Sequence, residues 1–141
     1  MIEQTIRTKL LTVTTISDYV KKLVPGTSPA EYVYDVFRIS APEGTTTPYI
    51  VINADDNPSP SDVLAVFDID IDIYDYNENR ANIRTVSQAI KNALHYEILT
   101  DVGDYETIRT YFAGRTTIKE NDSTLVRVNM SFTGRATEKL T

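Results

Sequence analysis

Three aspartates at alternate positions, Asp68, Asp70 and Asp72, are the residues of this 141-residue chain whose types and spacing invite a chemical reading. Carboxylates in series can hold a divalent cation or divide acid and base work between them. A calcium loop of the helix–loop–helix kind needs glycine at its sixth position and glutamate at its twelfth. Counted from Asp68, those positions are Ile73 and Asn79, so the pattern fails. A two-metal hydrolytic site needs carboxylates converging from several elements, often with histidine or lysine beside them. The single histidine, His95, has apolar neighbours and no matching carboxylate pattern, and reads as a structural helix residue. The five glycines are isolated, so there is no phosphate loop, and no Gly-x-Ser-x-Gly elbow occurs. Absence of cysteine excludes thiolate–zinc sites and disulfides. The residues therefore point away from an enzyme and imply no cofactor and no metal.

The element that positions the aspartates is legible. Phe67, Ile69, Ile71 and Ile73 alternate with Asp68, Asp70, Asp72 and Tyr74, a period of two that places apolar side chains on one sheet face and acids on the other. Neighbouring carboxylates on such a face lie about 6.8 Å apart and repel by about 0.6 kcal/mol in bulk water, or about 2.4 kcal/mol at an effective dielectric near 20. The acidic face must therefore meet water, a channel, or cations from a neighbour. Arg109, Arg115, Lys119 and Arg127, on the expected C-terminal strands, are the candidates within the chain. Past Asn79 the period changes, and Ile83, Val86, Ile90, Ala93 and Leu94 mark one face of a helix.

The remaining chain supplies the elements around this strand–helix unit. Ile2, Ile6 and Leu10 predict a helix over residues 2–12, and Ser17 or Asp18 is positioned to cap a second one through Leu23. Glu31–Ser40 and Pro48–Ile52 read as strands, followed by the turn-rich loop Asn53–Asp62, where Asp55, Asp56 and Asn57 are candidate contacts. Thr107–Phe112 and Arg115–Lys119 form two strands or one bent strand, with a bulge expected at Gly114. Glu120–Ser123 reads as a hairpin connection, Leu125–Thr133 as a strand, and the polar stretch 134–141 as a flexible tail. The sum is an α+β chain: one domain over 1–141, a mainly antiparallel twisted sheet, and helices packed on one face.

Charge narrows the class of partner. No Lys or Arg lies between Arg38 and Arg80, and nine acids from Glu43 to Glu78 give that interval −9 within a chain of net −6, leaving +3 elsewhere. Such a belt opposes phosphate contacts and suits a basic protein surface or a face that repels DNA. Tyr74 and Tyr76 lie in the belt, and tyrosine there suits a protein interface better than a nucleic-acid platform. No apolar run approaches the ~20 residues of a membrane span, and no signal peptide is visible, so the expectation is synthesis in the cytosol without membrane partners.

The order of elements is also informative. Val33–Ile52 reads VYDVFRISAPEGTTTPYIVI, and the long strand Phe67–Tyr76 reads FDIDIDIYDY. The helix NRANIRTVSQAIKNAL (Asn79–Leu94) and a closing hairpin, RTTIKENDSTLVRVNMSF, follow. Together these resemble the tail terminator family, the small tail-completion proteins of long-tailed bacteriophages. The resemblance implies a structural virion protein that forms a homohexameric ring at the head-proximal end of the tail tube. Such a ring ends tube polymerisation and joins the tail to the head. The implied partners are further copies of the chain, the tail tube protein and a head-completion or connector protein, with DNA passing through the ring unbound. On that reading Asp68, Asp70, Asp72, Tyr74 and Tyr76 face the lumen or a subunit interface. A head-completion or stopper protein of the neck, or an adaptor domain outside phages, is the alternative.

Overall fold

The computed structural model describes residues 2–54, 64–102, 105–119 and 124–138. Its elements in chain order are α1 (Ile2–Leu11), α2 (Thr14–Val20), β1 (Lys21–Leu23), β2 (Tyr32–Tyr34), β3 (Val36–Arg38), β4 (Tyr49–Ala54) and β5 (Leu64–Tyr76). A single 3-10 turn, Asn77–Asn79, leads into α3 (Arg80–Leu94), then β6 (Glu97–Val102), β7 (Tyr105–Lys119) and β8 (Leu125–Glu138). Six strands make one sheet in the order β3-β4-β5-β8-β7-β6, antiparallel throughout except for the β3–β4 pair. β1 and β2 form a separate two-stranded ribbon.

The period-two pattern dictates the core. Phe67, Ile69, Ile71 and Ile73 are buried on one face of β5, next to Val126, Val128, Met130 and Phe132 of β8. Ile83, Val86, Ile90 and Leu94 of α3 pack onto that face, and Ile2, Ile6 and Leu10 of α1 complete it. Full burial of each isoleucine or leucine contributes about 1.5–3 kcal/mol, which is how one long strand comes to anchor the domain. This is the α+β architecture expected from the sequence, with the helices on one face.

The sheet is curled, and α1 ties its two ends together. Arg7 donates from Nε to the Val36 carbonyl at 2.8 Å and from Nη2 to the Tyr34 carbonyl at 3.2 Å. One half-turn further, Lys9 Nζ lies 2.9 Å from Glu97 Oε1 on β6, the opposite edge strand. Arg7 thereby occupies backbone acceptors near the β3 edge that an added strand would otherwise use.

Four sequence expectations change. The second helix begins at Thr14, not at Ser17 or Asp18, because Ile16 and Val20, four residues apart, set its buried face. Lys21–Leu23 leaves the helix to pair with Tyr32–Tyr34. The strand expected over Glu31–Ser40 splits at Asp35, whose N–H donates to Val20 and whose carbonyl accepts from Ile50, while its carboxylate meets Lys22 at 2.5 Å. Residues 134–138, read as flexible tail, continue β8, since Leu64–Phe67 of β5 need partners and find them in Gly134–Thr137. Their inward residues are Gly134 and Ala136, too small to give an apolar signal; a Cβ on Gly134 would stand 3.2 Å from Ile69 Cδ1.

The bulge expected at Gly114 is present as a register shift between Phe112 and Gly114. His95 Nδ1 accepts the Phe112 N–H at 3.0 Å, giving the lone histidine a structural partner beside that irregularity. Among the described residues no helix is long and apolar enough to cross a membrane.

Candidate functional site

The alternation of β5 sends Asp68, Asp70, Asp72, Tyr74 and Tyr76 to the face away from the helices, opposite Thr133, Ser131, Asn129, Arg127 and Leu125 of β8. Asp68 and Tyr76 are exposed, and Asp70, Asp72 and Tyr74 are half-buried. The five residues named from the sequence therefore share one surface. The loop candidates Asp55, Asp56 and Asn57 lie outside the described residues.

Neutral side chains, not cations, satisfy the two inner aspartates. Asn129 Nδ2 donates to Asp72 Oδ1 at 2.8 Å and approaches Asp70 Oδ1 at 3.4 Å; Ser131 Oγ reaches Asp70 Oδ1 at 3.2 Å. Arg115 and Lys119 cannot serve, because odd-numbered residues of β7 beyond the bulge point to the helix side, where Arg115 Nη1 donates to Ser87 Oγ at 2.8 Å. Arg109 pairs in register with Arg135 and Ile98, and Arg127 with Tyr74. The inner aspartates are thus held by an amide and a hydroxyl, on a face that also carries Arg109, Arg127 and Arg135 toward its ends. Among the described residues, no group of three or more His, Asp or Glu is placed to hold a metal ion.

Toward the β3 edge the same surface turns aromatic. Tyr74 stacks on Tyr49 with ring centroids 4.7 Å apart, and Tyr49 meets Phe37 edge-on at 6.2 Å. The face thus has an acidic centre flanked on one side by packed aromatic rings.

One acid of the belt behaves differently. Asp75 falls in phase with Ile73, on the inner face, and is 1% exposed. Three donors hold it: the Tyr19 hydroxyl at 2.5 Å, the Asn79 amide at 2.9 Å and the Tyr76 N–H at 2.7 Å. Burial first, then the hydrogen bond to Asp75 and its charge, push the Tyr19 hydroxyl well above the usual phenol range. Asp75 thereby ties α2 and the 3-10 turn to the end of β5. The phase of the alternation was the signal for it, since the belt otherwise reads as one surface.

Comparison with known proteins adds to this geometry. A family model described as "Tail completion protein gp17" matches residues 15–136, from within α2 almost to the end of β8. A search of curated proteins finds no match. Among solved structures, a chain from the virion of a native gene transfer agent (GTA) particle superposes with a TM-score of 0.72 at 15% identity, covering 96% of this chain and 94% of that one. At that identity the likeness speaks for the fold.

Proposed function

The chain belongs to the Tail completion protein gp17 family, a structural protein of the phage tail, and we propose that it closes the head-proximal end of the tail tube as a hexameric ring. In this role it ends tube polymerisation and presents the surface to which a head-completion or connector protein binds. The observation that carries the reading is the extent of the family match, which takes in every strand of the six-stranded sheet. The fold shared with a chain of a GTA virion particle supports it.

The charged face supports it as well. Six copies of a chain with net charge −6 form a strongly acidic ring, and Asp68, Asp70 and Asp72 line one sheet face of each copy. Turned to the lumen, such a face repels phosphates and lets DNA pass without adhesion. The protein is assembled in the host cytoplasm on this reading and remains in the virion at the tail's upper end.

Tails assembled without this protein, then mixed with it, test the proposal. Electron microscopy is expected to show tube growth arrested at uniform length, and native mass measurement to give a hexamer at the tube end. A dodecamer would move the protein to the neck connector. Tubes that keep growing beside a monomeric chain would overturn the proposal.

A further inference from the structure

On the helix side of the sheet, between the first half of α3 and the ends of β7 and β8, lies a cleft of about 440 Å³. Arg80, Arg84, Arg115 and Lys119 line it above an apolar floor that includes Ile83 and Val128. All four cations are exposed. Arg80 is held by the Asn77 side chain at 2.6 Å and Arg115 by Ser87, so neither is neutralised. Among the described residues no carboxylate pairs with any of the four. Four like charges converging on one groove repel each other until an anionic partner arrives. Ile83 and Val128 are already buried, so the cations are what the cleft offers a partner, and the net charge of −6 on the chain disfavours a nucleic-acid backbone.

The acids of this chain are concentrated elsewhere. Segment 55–62 reads Asp-Asp-Asn-Pro-Ser-Pro-Ser-Asp, with three acids, no cation, and two prolines that reduce the freedom lost on binding. It joins β4 to β5, and its anchors Ala54 and Leu64 lie too far from the Lys119 end of the cleft for the residues between them to span the distance within one copy. Ala54 pairs with Ile69, while the cleft residue Val128 pairs with Ile73. Running from Ala54 to the level of Ile73 and back to Leu64 covers about 43 Å of strand rise, whereas the connection between them extends about 36 Å at most.

We propose that the cleft receives segment 55–62 of a neighbouring copy and that this pairing is the contact that repeats around the ring. The proposal rests on the ring reading above and adds the surfaces that build it. Cleft and segment are different patches of one chain, so the contact is heterologous and closes by rotation.

Charge exchange tests it. One variant carries Arg84→Glu and Lys119→Glu, a second carries Asp55→Lys and Asp56→Lys, and a third combines all four changes. Circular dichroism verifies the fold of each, and mass photometry at about 50 mM salt reads assembly, alone and on tube ends, where screening is weak. Each of the first two is expected to lose assembly by about 100-fold in apparent affinity, because like charges face each other. The four-fold variant, and an equimolar mixture of the first two, are expected to recover it. Native-level assembly of both double variants would overturn the pairing and leave the ring intact, as would loss that the four-fold variant does not restore. A native chain that stays monomeric even on tube ends would overturn the ring and the pairing together.

Discussion

The Tyr19 hydroxyl donates to Asp75 across 2.5 Å, joining α2 to the end of β5, residues far apart in the chain. A hydrogen bond to a charged group is worth about 1.5–3 kcal/mol, and removing it leaves a buried carboxylate short of one donor. Tyr19→Phe is expected to lower stability by about 1.5–3 kcal/mol in urea denaturation, with native helix content retained. A change under about 0.5 kcal/mol would mean that water replaces the hydroxyl without loss.

The same pair sets an alkaline limit. Because the folded state raises the Tyr19 pKa above its unfolded value near 10, the contribution is complete below about pH 10 and is lost as pH rises beyond it. Denaturation midpoints measured from pH 8 to 11 are expected to be level and then fall. In Tyr19→Phe the fall is expected to be shallower.

Residue 134 distinguishes a strand from a tail. A side chain at Gly134 is directed at Ile69 and Ile108, which stand 3.2 and 3.3 Å from the position of its Cβ. Gly134→Val is expected to cost about 1–3 kcal/mol by overpacking, read as a lower thermal midpoint. Removing residues 134–141 takes Ala136 from the core and the partners of Leu64–Phe67 from the sheet, and is expected to abolish cooperative unfolding. A truncated chain with native stability would restore the tail reading.

The aspartate face offers a test in the virion. Asp68, Asp70 and Asp72 changed together to lysine turn three repelling charges into three that bind phosphate. The Asn129 amide can rotate to offer its oxygen, so the fold is expected to hold. Phage carrying the triple change are expected to assemble full-length tails and lose infectivity at DNA delivery. Unchanged infectivity, or a ring with these residues on its outer rim, would remove the face from the channel.

Much of this was legible in the residues. The switch from period two to helical spacing at Asn79 located β5 and α3, and Gly114 marked the bulge. Where side chains are small or short segments change partners, the pattern was silent. Gly134 and Ala136 carry no apolar signal although the core closes over them. Asp35 divides a segment with uniform strand character because its backbone groups serve Val20 and Ile50 rather than one ladder. The aspartates' real partners, Asn129 and Ser131, depend on the register of strands distant in sequence, which local periodicity does not encode.

The position of β5 in the sheet has a consequence for synthesis. Its neighbour β4 precedes it, but its longest partner, β8, follows every other described strand in the chain. Until β8 has emerged from the ribosome, Ile69, Ile71 and Ile73 lack the cover of that strand, and the β5 edge is open to other nascent chains. Folding that waits on such distant pairing is slow, and it gains nothing from early completion of the first half. Substitutions in β8 are therefore expected to lower the yield of folded chain at raised temperature even where the finished protein is stable.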